Sequence, residues 1–178
     1  MHQDTGTALV VVDMQNVFVE IAGEDVLDAV NDQVVRASAN RWHIFYTWDY
    51  APFELPPDDP DIDPHPKLDV RGPIVPKGPG KNGGFSGFVL APELGPEEGP
   101  GVGGLSPLAG LLSEAGIRSV IVAGIAADAC VAATARDAVR LGYAVTVPLP
   151  ATAFVGAHPN GNAAAIAELR AAGVTVTA

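Results

Sequence analysis

The sequence predicts an α/β fold: one doubly wound, mostly parallel sheet with helices on both faces, in three layers. Three observations predict it. Short apolar runs rich in β-branched residues alternate with segments of helical period, the signature of strand–helix–strand units. The strand candidates are apolar along their whole length, as strands covered on both faces are. The 178 residues, 48% hydrophobic and 17% charged, supply one sizeable core, so residues 1–178 are expected to form a single domain.

Taken in order, TALVVV (7–12) reads as a buried strand. Residues 22–40 place Val26, Leu27, Val30, Val34 and Val35 at helical spacing behind an acidic first turn. HIFYTW (43–48) is a second strand. Residues 51–104 hold 12 of the 16 prolines and more than half of the glycines. Proline has no backbone donor, so this stretch is expected to be mostly loop, with one strand near Ile74 and Val75. A connection of this length in a compact domain often builds a site. The alternation then resumes. SPLAGLLSEAG (106–116) is a helix, SVIVAG (119–124) a strand and DACVAATARDAVRLG (128–142) a helix stopped by Gly142. YAVTVPL (143–149) is a strand, 160–173 a helix and VTVTA a last strand.

The net charge of −11 disfavours a phosphate backbone as partner, so no nucleic acid is expected, and a small molecule is the natural ligand. No apolar run reaches the length of a membrane span. The opening MHQDTGTALVVVDMQ lacks a basic segment ahead of a long apolar run, so no export signal is expected. The lone cysteine, Cys130, excludes an internal disulfide and fits a reducing, cytoplasmic location.

In an open α/β sheet, ligands bind beyond the carboxyl ends of the strands. Four polar residues from distant parts of the chain fall there: Asp13 after VVV, Asp49 after YTW, Lys77 after IVP and Cys130 past SVIVAG. A thiol on the first turn of a helix meets the positive end of the macrodipole, which lowers its pKa, and a nearby lysine adds to this. Asp128 works against it. The bland alternatives are a buried filler for Cys130, a turn acceptor for Asp13 and a solvated loop lysine for Lys77. Lys81, in the same glycine-rich loop, competes with Lys77.

Three stretches carry a resemblance. ALVVVDMQNVF, PKGPGKNGGFSGF and VAGIAADACVAATARDAVRLGYAVTV resemble, in the same order, the motifs of the isochorismatase-like cysteine hydrolases, with their Rossmann-like three-layer fold, and most of all nicotinamidases. The resemblance implies a catalytic triad of Asp13, Lys77 and Cys130. It implies a cis peptide between Ile125 and Ala126, which aims the Ala126 amide into an oxyanion hole beside the amide of Cys130. It also implies a homo-oligomer. Phe18, Trp48, Tyr50 and Phe85 are candidate walls of a substrate pocket, with ordinary core packing as the alternative.

The match breaks at the metal. Nicotinamidases usually hold a divalent cation with an aspartate and histidines, the first two in an Asp–aromatic–His motif. Here the stretch reads Asp49-Tyr50-Ala51, and His65 is the one histidine nearby. One aspartate and one histidine make a poor transition-metal site. Asp58, Asp59, Asp61 and Asp63 read as a solvated acidic loop. No metal and no other cofactor is expected, with Asp49 the one retained ligand-like position. GPGKNGG lacks the spacing of a phosphate loop.

The expected function is therefore hydrolysis of a small amide or related C–N bond through a thioester acyl-enzyme. An isochorismatase-type vinyl-ether hydrolase, a binding protein without turnover and a redox-sensing thiol are the alternatives.

Overall fold

The computed structural model describes residues 6–78, 85–90 and 105–178. Its strands are β1 (Thr7–Val12), β2 (His43–Asp49), β3 (Ile74–Lys77), β4 (Ser119–Ile125), β5 (Ala144–Pro148), β6 (Thr152–Ala153) and β7 (Thr175–Thr177). Its helices are α1 (Asn16–Ala22), α2 (Asp25–Ala39), α3 (Pro107–Glu114), α4 (Cys130–Arg140) and α5 (Asn162–Ala171). The sheet runs β3-β2-β1-β4-β5-β7, with β6 paired to β4, and every paired strand is parallel. Among the described residues no helix is long and apolar enough to cross a membrane.

Alternation along β1 builds two cores. Ala8, Val10 and Val12 face Leu108 and Leu112 of α3, Val131 and Ala135 of α4, and Leu169 of α5. Leu9 and Val11 face Val19 of α1 and Val26, Val30 and Val34 of α2. This doubly wound arrangement is why β1 and β4 are apolar on both faces. Gly124 is required where they meet: its φ is +113°, and a Cβ there would lie 2.3 Å from the Val12 carbonyl oxygen.

Two elements lacked a clear signal in the sequence. Helix α1 has seven residues and buries only Val19, so it is too short to display a period. Strand β6 has two residues. The strand near Ile74 extends to Lys77, paired in register Thr47–Val75 and Asp49–Lys77. Among its described residues the proline-rich stretch contributes two single 3-10 turns, Pro52–Glu54 and Pro60–Ile62, each opened by a proline whose missing donor costs nothing there.

Candidate active site

The ends of β1, β2 and β3 set the site. Thr47 of β2 and Lys77 of β3 point to the face that carries α4. By strict alternation Asp13 would point to the other face, after Leu9 and Val11. It does not, because the chain turns left-handed at Asp13, φ 49°, a conformation aspartate tolerates better than most residues. The Asp13 carboxylate thereby reaches Thr47, whose hydroxyl donates to Oδ1 at 2.7 Å and accepts the Asp13 backbone N–H at 3.2 Å.

The other carboxylate oxygen, Oδ2, lies 2.6 Å from Lys77 Nζ, and neither side chain has any solvent exposure. The ammonium also donates to the Phe85 carbonyl at 2.7 Å. The Asp13 contact is short but not aligned as a hydrogen bond, so Oδ2 keeps acceptor capacity. The Cys130 thiol is near enough to this pair for both charges to act on it, Asp13 raising its proton affinity and Lys77 lowering it. Burial pulls the Lys77 ammonium down, but Asp13, then Cys130 and Asp49, outweigh it and hold its pKa above the usual lysine range. Lys81 lies outside the described residues.

The expectation of a thiol lowered by its helix and lysine is corrected. Cys130 is pushed up to about 12, first by burial and then by the negative charge of Asp13, with Lys77 opposing. Position on a first turn was legible in the sequence; desolvation was not, and it dominates. Cys130 therefore rests as a neutral thiol rather than a thiolate.

The turn before α4 carries a cis Ile125–Ala126 peptide. The Ala126 carbonyl accepts the amides of Ala129 and Val131, and the Ala127 amide donates to Ala153. Among the described residues no backbone carbonyl accepts the amides of Ala126 and Cys130. The Asp128 carboxylate accepts the amides of Val155, at 3.1 Å, and Ala157, at 2.7 Å, tying the loop after β6 to this turn.

The pocket candidates divide. Phe85 is 40% exposed and joins the site through its carbonyl. Tyr50 is half-buried just past Asp49. Phe18 packs on the α2-side core with its ring 5.9 Å from that of Phe53. Trp48 is on the opposite face of β2 from Thr47, and its Nε1 donates to the Ile62 carbonyl, bracing the 60–62 turn. Three supports went unread in the sequence: Thr47, Phe53 and Gln15. Gln15 is buried and pairs with both backbone groups of Asp49 through Oε1 and Nε2, at 2.9 Å each. A polar β-branched residue inside the buried run HIFYTW was the available signal for Thr47.

Among the described residues, those around Asp49 do not supply the ligand set of a divalent cation. Its Oδ1 accepts the Ala51 amide at 3.0 Å, and alanine at 51 offers no ligand. His65 is turned elsewhere: Nδ1 accepts the Lys67 amide at 3.2 Å and Nε2 lies 3.7 Å from Glu24. Among the described residues no group of three or more histidine, cysteine, aspartate or glutamate side chains converges on one point.

Residues 7–178 match the isochorismatase domain. The chain is similar to the nicotinamidase/pyrazinamidase of Mycobacterium tuberculosis, 33% identical over 195 residues that cover 94% of this chain and 96% of that one. It is similar to the solved structure of PnC1 from L. infantum in complex with nicotinate, at 28% identity and a TM-score of 0.73, covering 97% of this chain and 92% of that one. The pyrazinamidase of Pyrococcus horikoshii, solved in complex with zinc, shares the fold with a TM-score of 0.76 at 23% identity, covering 97% and 98%.

Proposed function

Because the chain belongs to the isochorismatase family of hydrolases and is nicotinamidase-like over nearly its whole length, we propose that it hydrolyses a small carboxamide through Cys130. The observation that carries this reading is the buried Asp13–Lys77 pair at 2.6 Å, with the Cys130 thiol also buried and near enough for both charges to act on it.

Asp13 takes the thiol proton as the sulfur attacks the amide carbonyl carbon. The positive Lys77 stabilises the sulfur as its charge develops, which a thiol with a pKa of about 12 requires. The tetrahedral oxygen receives the amides of Ala126 and Cys130, donors held in place before the reaction starts. Asp13 returns the proton to the departing nitrogen, the C–N bond breaks, ammonia leaves and an S-acyl enzyme remains. Asp13 then takes a proton from water, the hydroxide adds to the thioester, and the carboxylic acid leaves as the sulfur regains its proton. No step is assigned to a metal, since among the described residues the side chains around Asp49 do not supply its ligands. Burial of Cys130, 7% exposed, weighs against a peroxide-sensing thiol, which needs access and thiolate character.

Ammonia release from a panel of aliphatic, pyridine and pyrazine carboxamides tests this reading. The protein is compared with Cys130→Ala, each with and without chelator. Release that needs Cys130 and survives chelation is expected, with a transient S-acyl adduct in the intact-protein mass. Ammonia from no amide, or equal release by Cys130→Ala, overturns it.

A further inference from the structure

One short segment touches the support of all three proposed catalytic side chains. Residues 85–88, Phe-Ser-Gly-Phe, lie between β2, β3 and the α3–α4 layer. The Phe85 carbonyl accepts from Lys77 Nζ at 2.7 Å. The Gly87 amide donates to the Thr134 hydroxyl at 2.9 Å, and that hydroxyl donates to the Cys130 carbonyl at 2.7 Å. Gly87 also presses on Thr47, the residue that holds Asp13: a Cβ at position 87 would lie 2.7 Å from Thr47 Cγ2. The other side of the segment is fixed too, since Ser106 Oγ donates to the Gly87 carbonyl at 2.5 Å.

A threonine hydroxyl bonded to the carbonyl four residues back is common in helices and by itself means little. Here the same oxygen also receives an amide from outside the helix, in a position with no solvent exposure. It therefore fixes the distance between the first turn of α4 and the segment that holds Lys77. The hydroxyl's one proton goes to Cys130 and its lone pair to Gly87, so the two bonds form together.

We propose that Thr134 is a positioning residue for the reaction: it locks the backbone of Cys130 to the 85–88 segment, and through that segment sets the thiol against Lys77 and Asp13. This rests on the hydrolase reading above. Thr134→Val keeps the shape and removes both bonds, leaving the Gly87 amide buried and unpaired; Thr134→Ser keeps them. A displacement of about 1 Å at reacting atoms costs on the order of 10²-fold in rate, so Thr134→Val lowers kcat by that order with KM little changed, and Thr134→Ser restores it. The Gly87 amide, protected from hydrogen exchange in the unaltered protein, exchanges faster in Thr134→Val and not in Thr134→Ser. Cys130 alkylation by iodoacetamide changes in Thr134→Val alone.

An unchanged kcat in Thr134→Val, or an equal loss in Thr134→Ser, overturns the proposal. So does unprotected exchange of the Gly87 amide in the unaltered protein, a measurement that needs no variant. If the unaltered protein releases ammonia from no carboxamide, the hydrolase reading fails, and Gly87 exchange with Cys130 alkylation still decides whether Thr134 positions the thiol.

Discussion

Lys77 Nζ sits 2.6 Å from Asp13 Oδ2, and both side chains are withdrawn entirely from solvent. Two opposite charges are stable there only together, because desolvation of either one alone is uncompensated. The pair is costly as a fold element and useful as chemistry, since it holds a carboxylate and a cation beside a buried thiol.

Removing one member should therefore damage folding more than removing both. Lys77→Met is expected to destabilise the protein by about 3–5 kcal/mol. Adding Asp13→Asn to it should recover part of that loss. Urea unfolding of both single variants and the double variant measures the coupling; additive losses would contradict the ion pair.

Thr47 supplies Asp13 with two of its bonds. Thr47→Val should cost about 1.5–3 kcal/mol, the range for a hydrogen bond to a charged group. Activity should fall beyond what the folded fraction explains, because the carboxylate loses its alignment. Turnover normalised to folded protein from circular dichroism checks this.

The Cys130 thiol, pushed up to about 12, sets two pH dependences. Alkylation of the folded protein should keep rising from pH 9 towards 12, whereas the unfolded chain levels off near the ordinary thiol value of 9. Stability follows the same linkage. The folded state keeps the Cys130 proton after the unfolded state has lost it, so this contribution is complete below about 9 and is lost as pH rises towards about 12. Cys130→Ala should flatten that part of the stability profile. A rate plateau near pH 9 in the folded protein would refute the buried-thiol account.

Chelation should leave the rate of amide hydrolysis unchanged, and added zinc should not raise it. Ala51 and the position of His65 are the reasons. Assays after exhaustive dialysis against a chelator, with metal content measured in parallel, provide the check; loss of activity restored by a stoichiometric cation would reverse it.

The order of strands and helices was legible in the sequence because hydrophobic period is local. TALVVV, SVIVAG and the α2 pattern each announce an element without reference to the rest of the chain. The lone cysteine past a strand end and the motif around it were legible too, as was the missing histidine at 51, which residue identity alone decides. The proline-rich stretch 51–104 carries no period, so β3 was located only near Ile74, and α1 was too short to show one.

Tertiary structure decided what depends on distance and desolvation. A left-handed turn at Asp13 moves its carboxylate to the face of Thr47, Lys77 and Cys130, against the alternation of β1. Burial then reverses the direction a helix terminus gives the thiol, and Trp48 turns out to brace a turn on the other face. Strand register places Lys77 opposite Asp49, and Gly87 links residues 47 and 134. Local chemistry names the participants; only the packed sheet fixes which side each one faces and how much water it keeps.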